Sequence, residues 1–160
     1  MKLLKYTFFF VLLTVLSCTK PPDYPIEPVL EFNRLSKNSL EQGNQNDFVD
    51  IIFDFTDGDG DIGHEENTLD VTLTDTRDGT EFIQFRIPEV PEQGVGNGIS
   101  GEISVRIFGT GTCCIFPDGR TCESDINIPT DEVIFLLRIT DRAGNESNQI
   151  EIAPITLLCN

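Results

Sequence analysis

The sequence predicts an all-β chain, a seven-stranded antiparallel sandwich of two sheets that follows a signal peptide and a proline-rich tether. Three observations carry this. Apolar residues alternate with polar ones in short runs from Val29 onward, whereas no segment keeps a helical period for three turns. Clusters of Gly, Asp, Asn and Pro separate those runs at turn spacing. The 160 residues, 39% hydrophobic, amount to one domain with enough apolar side chain for a real core.

The first element is a leader. Lys2 and Lys5 precede an apolar run from Phe8 to Leu16 broken only by Thr14, shorter than the roughly 20 apolar residues of a spanning helix. The run ends in Val15-Leu16-Ser17-Cys18, which resembles the lipobox of bacterial lipoproteins: an aliphatic residue three before the cysteine and a small one just before it. The resemblance covers this segment alone. It implies diacylation of the Cys18 thiol, cleavage after residue 17 and acylation of the new amine, so that the chain is anchored to a membrane outside the cytoplasm. Several acyl chains, at roughly 0.8 kcal/mol per buried CH2, make such an anchor practically permanent. Residues 18–28 then form the lipidated cysteine and its tether. Pro21, Pro22, Pro25 and Pro28 favour extended polyproline II, and Thr19 to Pro28 would span roughly 30 Å at about 3.1 Å per residue.

The domain expected over residues 29–160 supplies the strands. Leu30 and Phe32 give the first inward set, and Val49, Ile51, Phe53 and Phe55 the second, with Ile52 on the acidic side. Leu69, Val71 and Leu73 form the third, and Ile83, Phe85 and Ile87 the fourth, joined by a hairpin turn at Arg77-Asp78-Gly79. Ile103, Val105 and Ile107 make the fifth, and Val133, Phe135, Leu137 and Ile139 the sixth. A turn at Ala143-Gly144-Asn145 leads to the seventh, opened by Ile150 and Ile152, with Pro154 marking a bulge or an edge. A closed barrel has the same periodicity and stays open as an alternative.

Two stretches are distinctive: Phe55-Thr56-Asp57-Gly58-Asp59-Gly60-Asp61-Ile62-Gly63 and Ile139-Thr140-Asp141-Arg142-Ala143-Gly144-Asn145-Glu146-Ser147-Asn148. With the strand layout they resemble small immunoglobulin-like or fibronectin-type domains of secreted bacterial proteins, including Gram-negative surface lipoproteins. The resemblance implies a binding or scaffold module on the outer membrane, at its periplasmic or cell-surface face.

The acidic turn has its own chemistry. Three carboxylates within five residues repel one another unless a cation sits among them, and hard oxygen ligands suit Ca2+, which takes 6 to 8 oxygens. Counted as an EF-hand loop from Asp57, position six is Ile62 instead of Gly and position twelve is Thr68 instead of Glu, so the loop is not an EF-hand. In a seven-strand sandwich the loops after strands two and six share one end. That topology brings Asp141 and Asn145 to Asp57, Asp59 and Asp61, with Glu65, Glu66 and carbonyls available for the remaining positions. The expected metal ligands are therefore Asp57, Asp59, Asp61 and Asp141. The tether, and the loop from Pro88 to Gly98 that is a candidate partner contact, belong to the same end.

Four cysteines remain after Cys18, an even number that points to two disulfides in an exported chain. A bond between the adjacent Cys113 and Cys114 would be strained, so one of them joins Cys122 and the other Cys159, in either assignment. A zinc or iron site is the rival use of the four sulfurs, disfavoured by the oxidising compartment and the adjacent pair.

Charge and composition exclude several functions. Lys+Arg 11 against Asp+Glu 27 gives a formal charge of -16, and loss of Lys2 and Lys5 with the leader makes it more negative, which argues against nucleic acid. His64 is the one histidine, expected as a solvated loop residue, and there is no Gly-x-Ser-x-Gly elbow or phosphate-binding glycine loop. Trp is absent and Tyr24 is the single tyrosine after Cys18, so an aromatic sugar platform is missing. The sequence thus points to a non-enzymatic, lipid-anchored module with bound Ca2+ and an envelope protein as partner, a calcium-dependent glycan-binding or adhesin module being the alternative.

Overall fold

The structure, a computed structural model, describes residues 23–64, 68–91, 98–109, 112–121 and 128–159. The expected leader and Cys18 lie outside the described residues, as do Glu65, Glu66 and Cys122. Among the described residues every regular element is a strand: β1 (Val29–Leu35), β2 (Ser39–Glu41), β3 (Asn44–Asp57), β4 (Val71–Asp75), β5 (Glu81–Phe85), β6 (Ile99–Gly109), β7 (Thr130–Val133), β8 (Phe135–Ile139), β9 (Ile150–Glu151) and β10 (Ile155–Leu158). They form three sheets, ordered β1-β3-β6, β5-β4-β8-β9 and β2-β10-β7.

The long β3 is the spine of the first sheet. Phe53 lies opposite Phe32 of β1 and Ile103 of β6, and Val49, Ile51, Phe53 and Phe55 all turn inward, as period-two alternation requires. The other two sheets run on as one layer. β7 and β8 are separated only by Ile134, and Ile152 N donates to Phe135 O across the break between β9 and β10. Pro154 falls in that break, where its missing N–H interrupts the ladder. The two layers bury one core, with Phe53, Ile51, Leu73, Leu137, Ile139 and Ile155 fully enclosed. This is a β-sandwich.

Several expectations need correction. Ten strands are described where seven were expected, because the sixth and seventh runs each split in two and β2 was not foreseen. β2 carries one buried side chain, Leu40, too little for any period to register, and it pairs with β10 in parallel, so the sandwich is not wholly antiparallel. Ile83, expected inward, is 39% exposed. The β4–β5 register shifts between Leu73 and Thr74, and Phe82 packs on the core instead, its ring 4.8 Å from that of Phe135. Leu69 is exposed because β4 begins only at Val71. Ile52, although it faces away from the inward set, is largely covered.

One side of the sandwich is closed where Asn148 bridges to β1, accepting from Leu30 N through Oδ1 and donating to Leu30 O through Nδ2. On the opposite side a cavity of about 430 Å³ lies between β6 and residues 86–91, walled by Phe55, Ile62, Ile87, Val90, Ile103 and Val105.

Candidate metal centre at the acidic pole

The inward phase of β3 decides where the acidic turn begins. Counting on by twos from Phe53 and Phe55 places Asp57 on the buried face, and it is fully enclosed. The chain then folds back. Gly60 takes a left-handed φ of 77°, and Asp61 N donates to Asp57 Oδ2 at 2.9 Å, which staples the turn to the end of the strand.

The loop after β8 is laced onto this turn. Ala143 N donates to Asp61 Oδ2 at 2.9 Å, Arg142 N to Asp61 O at 3.2 Å, and Arg142 Nη1 to Gly63 O at 3.1 Å. Asp141 is held within its own loop: Asn145 N donates to its Oδ1 and Asn145 Nδ2 to its Oδ2, both at 2.8 Å. The arrangement brings Asp57, Asp59, Asp61 and Asp141 together, each offering a carboxylate oxygen within 4.8 Å of the others. Asp57 and Asp141 are buried, Asp61 is half-buried and Asp59 is exposed. Asn145, expected beside the cluster, orients Asp141.

Electrostatics make the cluster unusual. Burial pushes the Asp57 carboxyl up to about 6; the hydrogen bond from Asp61 N opposes this, and the charges of Asp59, Asp61 and Asp141 add to it. Asp61 is pushed up by burial, then by Asp141 and Asp59, against the backbone bond from Ala143 and the charge of Arg142. Asp57 Oδ1 and Asp61 Oδ1 are both buried with no hydrogen-bond partner among the described residues. An unmet buried acceptor costs about 1–3 kcal/mol, and more when charged. Neutralisation by a cation, or protonation, removes that cost. The donor set is all carboxylate oxygen, which suits a hard cation; a soft one would want sulfur or imidazole.

The described ends of the Pro88–Gly98 loop also reach this pole. Val90 N donates to Ile62 O, and His64 bridges to Pro88. Residues 92–97 of the loop lie outside the described residues. His64 is not the solvated loop residue expected: its Nδ1 lies 2.7 Å from Oδ1 of the fully buried Asp70, whose Oδ2 accepts from Ile87 N. No sequence spacing links His64 to Asp70; the pairing follows from the parallel bridge that carries His64 past the end of β4.

The opposite pole carries the sulfur. Cys113 and Cys159 are disulfide-bonded with Cα atoms 6.0 Å apart, and Cys114 is also in a disulfide. The expected third partner, Cys122, lies outside the described residues. Sequence reasoning missed the polar clamp beside these cysteines. Arg77 donates to Asp75 and to Asp131, and Asp131 Oδ2 also accepts from Cys114 N. Burial works against the Asp131 charge, but bonds from Cys114 N, Glu132 N and Arg77 hold its carboxyl below the usual range. Phe116, in the segment after Cys114, is exposed with Arg120 above its ring.

No family model and no curated protein matches this chain. Among solved structures it is similar to a Niemann-Pick type C2 protein from Japanese carpenter ant, at 11% identity and a TM-score of 0.42, covering 87% of this chain and 99% of that one.

Proposed function

We propose that the chain is a non-enzymatic, lipid-anchored module of the bacterial cell envelope, of immunoglobulin-like type, whose acidic pole binds Ca2+ and so stiffens the loops of a binding or scaffold surface. The anchor is the Cys18 lipid, the site of action is the outer membrane, and the partner is another envelope protein. The lipobox-like segment supports the anchor, and the β-sandwich suits a module that presents loops from a rigid frame.

The observation that carries the calcium reading is Asp57. Its side chain is fully enclosed, one oxygen has no hydrogen-bond partner among the described residues, and three further carboxylates converge on it from two loops. Extracellular calcium modules bind at roughly 10⁻⁴ to 10⁻³ M. At about 1 mM ion, linkage then gives roughly 0.4 to 1.4 kcal/mol of stabilisation. Such a site sets loop geometry and leaves the fold to the core.

The test compares thermal unfolding in calcium chloride with unfolding in chelator. Calcium raises the melting temperature by a few degrees, and Asp59→Ala, an exposed change that leaves the core alone, removes the rise. Superimposable curves for the unaltered protein in the two conditions would refute the calcium reading.

A further inference from the structure

The last residues of the tether are part of the acidic pole. Tyr24 is half-buried although Asp23, Pro25 and Ile26 around it are exposed. It lies where the Asp-Gly-Asp-Gly-Asp turn leaves β3. A Cβ built on Gly58 would fall 2.5 Å from Tyr24 O and 2.6 Å from Pro25 O, and one built on Gly98 would fall 2.7 Å from Tyr24 Cδ2 and 3.0 Å from Asp57 O. Backbone carbonyls cannot yield to such contacts, so any side chain at 58 would lift the tether off. The two glycines inside the acidic turn therefore do different work. Gly60 turns the chain, whereas Gly58 leaves room for the tether.

We propose that cation binding at this cluster latches the tether: the ion fixes Asp57 to Asp61, and that segment is the floor on which Tyr24 and Pro25 rest. The inference rests on the calcium reading above and adds its output. Without an ion, Asp57, Asp59, Asp61 and Asp141 repel one another, and the backbone between Asp57 and Asp59, where Gly58 sits, takes up that strain first. With an ion the floor holds one shape, and the ring of Tyr24 stays packed beside Gly98. Docking at Tyr24 takes Tyr24 to Pro28 out of the free tether, about 16 Å of reach at 3.1 Å per residue. The ion thus sets how far the domain stands from its anchor and which loops face the membrane. Coupling is reciprocal, so the docked tether must also tighten calcium binding.

The chain supplies its own reporter. It has no Trp, and Tyr24 is the single tyrosine after Cys18, so in the lipid-anchored protein, cleaved after residue 17 and extracted in detergent, Tyr24 is the tyrosine that reports. On titration with calcium chloride, acrylamide quenching of Tyr24 emission falls, along the same curve as the rise in melting temperature. Tyr24→Ala weakens calcium affinity by about five-fold or more, the lower range of measured couplings. Ile26→Ala, an exposed tether position, leaves affinity unchanged. A thermal shift with flat Tyr24 quenching and unaltered affinity in Tyr24→Ala would overturn the latch and leave the calcium site standing. Absence of any thermal shift would overturn both.

Discussion

Asp57 closes β3 with its side chain inside the protein, and burial, reinforced by the neighbouring Asp59, Asp61 and Asp141, raises its carboxyl from 3.8 to about 6. The sign of the consequence follows from linkage. Below about pH 4 the group is protonated in both the folded and unfolded states and has no effect. Between about 4 and 6 the unfolded chain ionises while the folded one resists, so the metal-free protein loses stability as pH rises, by up to about 3 kcal/mol for a shift of this size. In chelator, the stability difference between the unaltered domain and Asp57→Asn should therefore widen in favour of the variant from pH 4 to pH 7, measured by urea unfolding. Parallel pH profiles would contradict the assignment. At this scale the sequence was partly legible. Three aspartates alternating with glycines announce a carboxylate cluster, and strand phase tells which of them is buried. The His64–Asp70 contact and the Arg77 clamp were not legible, because each joins residues whose spacing carries no period and whose meeting depends on how two loops cross the sheet ends.

Among the elements, those with long alternating runs were readable and those without were not. β3, β6 and β8 present three to four inward apolar residues each, enough for period two to stand out. β2 offers only Leu40, and its parallel pairing with β10 is a tertiary outcome. In β5, Glu81-Phe82-Ile83-Gln84-Phe85, one residue departs from the expected phase: Phe85 packs on the core as expected, but the register shift at Leu73/Thr74 brings Phe82 inward and leaves Ile83 exposed. Two substitutions separate these cases. Leu40→Ala, at a position 2% exposed, should cost about 2–5 kcal/mol as a cavity opens between β2 and the core. Ile83→Ala, on the outer face of an edge strand, should cost less than about 1 kcal/mol. Equal costs in denaturant unfolding would mean that the alternation in β5, and not the structure, describes the core.

For the whole molecule, the sandwich holds two poles of opposite chemistry at its ends. At one, the Cys113–Cys159 bridge closes a 46-residue separation, which in the chain-entropy account is worth about 4 kcal/mol. Replacing both cysteines by serine should lower unfolding free energy by about 2–4 kcal/mol and leave the calcium-induced shift in melting temperature intact, since the acidic pole shares no residue with the bridge. Loss of the calcium response in that double variant would mean the poles are coupled. The topology that sets them apart was legible, because short alternating strands joined by turns leave few arrangements. The lacing of the loops was not, since Ala143 and Arg142 reach Asp61 through backbone groups that every residue carries. Those same bonds provide the most direct measurement of the central claim, that a cation sits among the four aspartates. The amides of Asp61, Ala143 and Asn145 each donate to a carboxylate of the cluster, so their NMR resonances report its charge. Titrating calcium chloride into the protein should move these three along one saturable single-site curve. Resonances that stay put while calcium rises well past 1 mM, the upper end of the roughly 10⁻⁴ to 10⁻³ M range, would contradict it.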